Sequence, residues 1–345
     1  MYRIGIIGCG KIAQVRHIPE YEANADAELA AFYDINHERA EDIAAKHGGK
    51  AYSDLDAMLS SGLDAVSICT ANTTHADIAI KALSAGLDVL CEKPMATTLG
   101  DVLRMEEAAA KSGRILMIGQ NQRLLGAHVK AHEMIKAGII GRVVSFRTVF
   151  GHGGPETWSV DPGKNTWFFD KNRAAMGAMA DLGIHKTDLI DFLLDDKVTA
   201  VTASVRTLDK KDGNGNLISV DDNAFCIYEM ASGAVGTMNA SWTYYGDEDN
   251  STVIYGSEGI MRIYSDPAHS ITVEKPNGER YYFDIDRIQT NDAQTSSGVI
   301  DAFIESLKTG KAAISASSVV PAMRAVFAAI ESSESGKRIE IPENR

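Results

Sequence analysis

The chain has 345 residues, 45% of them apolar and 23% charged, which is enough to bury a core and too little charge for a disordered polymer. At ~150 residues per domain this length predicts two domains. The formal net charge of -13 excludes the basic stripe of a nucleic-acid binder, and no apolar run reaches the ~18 residues a membrane helix needs.

In chain order, Arg3–Ile7 reads as a strand, Gly8–Ala13 breaks it, and a helix runs to about Tyr21. The strand Ala27–Tyr33 ends at Asp34, and the helix Glu38–His47 stops at Gly48 and Gly49. A short helix at Asp54–Ser60, a strand at Ala65–Thr70 and a helix at His75–Ala85 follow. The strand Val89–Cys91, the helix Thr98–Lys111 and the strand Ile115–Ile118 complete the alternation. Short apolar strands alternating with helices predict a parallel sheet covered by helices. After Gln120 the rhythm changes: a helix at His128–Ala137, a strand from Val143, a loop at Gly151–Thr166 and a helix at Asp181–Leu194. Strands then dominate from Val198 to Ile285, which suits an antiparallel or mixed sheet, before helices at Ser297–Thr309 and Val319–Ser335. The expected fold class is α/β plus α+β. The expected domains are 1–122, for a nucleotide, and 123–345, for substrate and assembly, with the last helices able to pack back on the first.

Cys9, Cys69, Cys91 and Cys226 have no metal-site spacing and read as free buried thiols in a reducing compartment. Ile4 already lies in the first strand, leaving no room for a signal peptide, so a cytoplasmic protein is expected.

Gly8-Cys9-Gly10-Lys11-Ile12-Ala13 stands between strand and helix. Gly8 permits the tight turn, Gly10 lets the backbone approach a pyrophosphate, and Ala13 allows close helix–sheet packing. Asp34 lies 24 residues after Gly10, where a carboxylate accepts ribose hydroxyls and repels a 2'-phosphate. NAD is therefore expected over NADP, with Arg39 nearby as the one feature favouring NADP. Thr70, Asn72 and His75 follow a strand end where ligands of such sheets bind; helix capping is the competing reading, weighed equally for His75.

Glu92 and Lys93 leave the fourth strand at the same edge, and Pro94 keeps Lys93 out of a helix. An ammonium there can polarise a hydroxyl or carbonyl oxygen and hold developing charge. Asp181 and His185, four residues apart on a helix pattern, are expected to share a face, with the acid fixing the imidazole tautomer. Asp188 reads as an orienting acid and Asp191 as solvated. No HExxH or thiolate set accompanies these residues, so no metal is expected. His152, Trp158, Asp161, Lys164, Tyr244 and Tyr245 are candidate sugar contacts.

The Gly8–Ala13 turn, Thr70–His75, Glu92-Lys93-Pro94, Asp181–His185, Tyr255–Gly259 and the closing stretch Glu331–Pro342 together resemble the Gfo/Idh/MocA oxidoreductases, the glucose-fructose oxidoreductase and inositol dehydrogenase group. The resemblance spans nearly the whole chain. It implies a Rossmann domain followed by a large, mostly antiparallel open sheet through which homodimers or homotetramers form. It implies NAD(P)-dependent oxidation or reduction of sugars, inositols and related polyols. It also implies an active trio of Lys93, Asp181 and His185, with Glu92 and Lys93 beside the cofactor. By the same resemblance Asn121 and Arg123 form a cofactor- and substrate-facing turn, and Trp167 and Phe168 an aromatic pair near the nicotinamide. Ala175 and Met176 depart from the family's pattern, standing where two glycines are common. Either Lys93 or His185 can serve as the base. Two other functions remain open: a lyase or epimerase that retains NAD through a transient keto intermediate, and a non-catalytic dinucleotide binder.

Overall fold

The computed structural model describes residues 1–287 and 296–342. Short apolar runs in the first third become six parallel strands: β1 (Tyr2–Ile7), β2 (Ala27–Tyr33), β3 (Lys50–Tyr52), β4 (Ala65–Ile68), β5 (Asp88–Cys91) and β6 (Leu116–Ile118). Their order is β3-β2-β1-β4-β5-β6, so the winding reverses between β1 and β4. Ligands of doubly wound sheets bind in the crevice beyond such a reversal. β1, β4 and β5 are almost wholly buried, because helices cover both faces. β3 was not expected: three residues are too few to show a two-residue period.

The second sheet has nine strands: β7 (Val143–Gly151), β8 (Val198–Arg206), β9 (Asn223–Met230), β10 (Val235–Ser241), β11 (Thr252–Gly256), β12 (Gly259–Asp266), β13 (His269–Glu274), β14 (Arg280–Phe283) and β15 (Ile339–Glu340). All its pairings are antiparallel except β7 with β10. The helix Ile184–Leu194 packs on β7, and the helix Ala316–Ser335 packs on β8 and on the helix Leu99–Ser112 of the first sheet. Ile118 N–H also donates to the Ile314 carbonyl, which ties β6 to the chain's last segment. On the opposite face Phe225, Ile227 and Val235 are exposed.

Two helices depart from the expected geometry. The helix after Gly10 has a wide π turn at Ala13–His17, and the expected helix from Asp181 opens with another at Met179–Gly183. Wide turns insert one extra residue and recur at functional sites. Among the described residues no helix is long and apolar enough to cross a membrane.

Candidate active site

Residues from both sheets enclose a cavity of about 560 Å³, within the size range of small-molecule sites. Gly8, Gly10, Lys11, Ile12, Asp34 and Thr70 line one side, at the ends of β1, β2 and β4. Phe150, His152, Trp158, Asp181 and His185 line the other. Glu92 and Lys93 leave β5 between them.

Glu92 is buried and accepts from His17 Nε2 at 2.9 Å and from the Lys93 N–H at 3.2 Å, with the Arg16 guanidinium at 3.8 Å. Burial pushes this carboxyl up, but His17, Arg16 and Lys93 outweigh burial and hold it at about 2. Glu92 is therefore an anion clamped to the first wide turn, and it steadies the backbone from which Lys93 projects.

Lys93 Nζ donates to the Asp181 carbonyl and to Asp181 Oδ1, both at 2.9 Å. Trp242, fully buried, donates from Nε1 to Asp181 Oδ2 at 3.0 Å. His152 Nδ1 accepts from the Gly154 N–H at 2.9 Å, so a neutral His152 carries its proton on Nε2, 3.9 Å from Asp181 Oδ2. Burial pushes the Asp181 carboxyl up; the Lys93 charge, the nearby His152 ring and the hydrogen bonds from Lys93 and Trp242 bring it below the ordinary carboxylate range. Burial, then the Lys93 charge, press the His185 imidazole well below its ordinary value, with Asp181 only partly opposing them. His185 is thus neutral at pH 7, and its buried Nδ1 has no hydrogen-bond partner. The tautomer-fixing bond expected between Asp181 and His185 is not formed. Asp181 lies in the wide turn and His185 in the α-helix, so four-residue spacing no longer stacks them, and both carboxylate oxygens are engaged by Lys93 and Trp242.

A family model described as the Gfo/Idh/MocA oxidoreductase family, NAD-binding Rossmann fold, matches residues 2–120, and the Gfo/Idh/MocA C-terminal domain matches residues 128–262. The chain belongs to the Gfo/Idh/MocA oxidoreductase family. It is similar to myo-inositol 2-dehydrogenase of Thermotoga maritima, 29% identical over 351 aligned positions and 99% of each chain. It is likewise similar to inositol 2-dehydrogenase of Rhizobium meliloti, 28% identical over 98% of this chain and 99% of that protein. Among solved structures, GenD2 from gentamicin A biosynthesis in complex with NAD superposes with a TM-score of 0.83 at 25% identity, covering 99% of this chain and 96% of that one.

The cavity fits the dinucleotide that this Gfo/Idh/MocA Rossmann fold takes. Gly8 has φ +91°, and a Cβ there would lie 2.7 Å from the Cys69 carbonyl, so only glycine allows β1 and β4 to close at the reversal. A Cβ on Gly10 would meet nothing nearer than the Cys69 oxygen at 4.0 Å, so its backbone is bare toward the cavity. Asp34 accepts N–H bonds from Cys9 and Asn36, each at 2.8 Å, one on each oxygen. Each oxygen keeps a lone pair for a ribose hydroxyl. Asn121, Trp167 and Phe168 line the same cavity, the last two stacked at 4.0 Å. Asn121 Oδ1 is buried without a partner in the structure, a polar atom left for a ligand.

Several residues of this Gfo/Idh/MocA chain make contacts that the sequence-based expectation did not include. Asn72 lines the cavity but donates to the Ala174 carbonyl at 3.0 Å. His75 also lines the cavity, with its ring nitrogens 2.8 Å from the Pro94 carbonyl and 3.1 Å from that of Thr70, so it braces the segment after Lys93. Arg123 lies outside the cavity lining. Its guanidinium grips Asp188 at 2.7 and 2.5 Å and reaches the Ser318 carbonyl at 2.9 Å. Separating such a buried pair costs on the order of 3–5 kcal/mol, so Arg123 ties the strand-end turn to two helices. Asp191, expected in solvent, has both carboxylate oxygens buried; burial and the Asp188 charge push its pKa well up. Lys164, Tyr244 and Tyr245 are not in the lining: Tyr244 packs on Gly151, and Tyr245 turns to Asp209.

Sequence reasoning missed Trp242, Glu248 and Asn250. Trp242 reads as the last residue of a strand, and the segment before β11 has no periodicity. It also missed Lys186, which is fully buried and donates to the Asn250 carbonyl at 3.0 Å, holding that wall in place. Burial pushes this ammonium down to about 7 from 10.5. Between those values the unfolded chain holds a proton that the folded chain has released, so folding stability rises with pH there. The melting temperature of the wild type, relative to Lys186→Met, is expected to climb from pH 7 to pH 10; a pH-independent difference would contradict a neutralised buried lysine.

Proposed function

We propose that the protein is an NAD-dependent dehydrogenase that oxidises a hydroxyl of a sugar, inositol or related polyol, or reduces the keto form. The observation that carries this is a Lys93 ammonium 2.9 Å from Asp181 Oδ1, in one cavity with a neutral His185 and the bare Gly8–Gly10 turn. The inositol dehydrogenases of similar sequence support the substrate class. In this reading residues 1–122 form the nucleotide unit and 123–345 the substrate unit.

Gly8, Gly10, Lys11, Ile12, Asp34, Thr70, Asn121 and the Trp167–Phe168 pair would hold NAD, which accepts or returns hydride when bound. Asp34 favours a free 2'-hydroxyl and hence NAD over NADP. Lys93 has three N–H donors and gives two of them to Asp181. The third is left for the substrate oxygen, whose negative character the ammonium stabilises. The Asp181 carboxylate aims and balances Lys93, and His152 adds a donor at the same edge. The neutral His185 imidazole takes the hydroxyl proton and returns it in the reverse direction.

Four buried free thiols suit a reducing compartment and support a cytoplasmic location. The exposed face bearing Phe225, Ile227 and Val235 supports a homo-oligomer that covers it. The deciding assay follows NADH absorbance against a panel of sugars, inositols and their keto forms. Substrate-dependent NADH formation or consumption is expected; a rearranged product with no net NADH would replace this reading with transient oxidation.

A further inference from the structure

Arg39 opens a second question at the far end of the cavity from Lys93. Its Nη1 lies 3.8 Å from Asp34 Oδ2, and its Nη2 donates to both carboxylate oxygens of Asp161 at 3.1 Å. All three residues line the cavity. Arg39 stands on the helix His37–His47 beside the first sheet, whereas Asp161 comes from the loop after β7 in the second. The contact therefore bridges the two halves of the cavity wall where the ribose-binding acid sits.

One guanidinium faces two carboxylates here. An arginine close to the β2-end acid is what accommodates a 2'-phosphate in NADP-binding folds. Arg39 is in that place, but its Nη2 is already committed to Asp161, and the local sum of charges is one negative. A 2'-phosphate would meet a net anion and would compete with the Asp161 carboxylate for Nη2. We propose that Asp161 determines cofactor specificity from the opposite half of the molecule: it occupies and neutralises Arg39, and with Asp34 it excludes NADP. The inference rests on the NAD reading above and adds a residue to it. Asp161 is then not a sugar contact.

The test is direct binding without substrate, titrating NADH and NADPH by their own fluorescence into wild type, Asp161→Ala, Asp161→Asn and the double variant Arg39→Ala/Asp161→Ala. Wild type is expected to bind NADH the tighter. In both single variants the NADPH Kd is expected to fall about tenfold relative to that of NADH, the order expected for removing one unit charge from a solvent-screened contact with a dianion. The double variant lacks the freed cation and should lose that gain. Asp161→Asn keeps the side-chain shape, so its agreement with Asp161→Ala would assign the effect to charge. An unchanged NADPH:NADH ratio in both single variants overturns the inference and leaves the NAD reading standing. A gain that persists in the double variant also overturns it, because Arg39 would not be the group released. A wild type that binds NADPH more tightly than NADH overturns both.

Discussion

Replacing Lys93 with Met is expected to lower kcat by about 10²–10³-fold while the Kd for NADH changes little. The ammonium lines the same cavity as His185 and keeps one donor to spare, since its two other N–H groups are held by Asp181. Met keeps the length of the stem and removes the charge that would develop its full effect only as the substrate oxygen becomes anionic. The loss should therefore fall on kcat more than on KM. Arginine keeps the charge but replaces a point donor with a planar fork, and should restore little. Steady-state rates on the best substrate of the panel, paired with an NADH fluorescence titration, separate catalysis from cofactor binding. Full activity in Lys93→Met would remove the lysine from the mechanism.

Replacing His185 with Asn should cost about 10²–10⁴-fold in kcat/KM for oxidation and remove its acid limb. Oxidation needs an unprotonated base. Burial and the Lys93 charge press the imidazole well below its ordinary value of 6.5, so wild-type oxidation should stay level through neutral pH. It should decline only at pH well below that value. Asp181 partly opposes this depression. Asp181→Asn should therefore move the limb further toward acid, besides slowing the reaction through Lys93. A pH–rate profile of kcat/KM in wild type, His185→Asn and Asp181→Asn reads all three. Survival of the limb in His185→Asn would hand the base role to another group, with Lys93 first in line.

Glu92, Lys93 and Asp181 illustrate how far local rules reach. That a strand ends in an acid, a lysine and a proline is visible in the chain, and so is the placement of all three at the ligand-bearing edge of a parallel sheet. What Glu92 touches is not visible: its partners are His17 and Arg16, about 75 positions earlier, presented by a wide helical turn. The same holds for Asp181. A four-residue spacing suggested His185 as its partner, and an α-helix would have stacked them. The wide turn at Met179–Gly183 shifted the spacing by a residue, and the carboxylate went to Lys93 and Trp242. Helix-period reasoning assumes 3.6 residues per turn, and it fails where the helix does not keep to that number.

Arg123 and Asp188 show a second kind of limit. Each reads as a polar residue available to a ligand, yet they satisfy one another, and Ser318 completes the set. A buried charge must find a partner, and nothing in a linear pattern says whether that partner is substrate or protein. Asp161 and Arg39, 122 positions apart, also meet with no linear signal to announce it, in a contact that solvent reaches.

By itself the sequence determined the parallel sheet, the glycine turn at β1, the acid at the end of β2 and the polar edge after β5. These follow from the alternation of short apolar runs, from the conformations only glycine or proline imposes, and from the direction in which parallel strands must all point. The tertiary structure alone decided which acid meets which base. Those pairings are set by desolvation and packing between segments distant along the chain, energies that exist only once both halves have closed on one cavity.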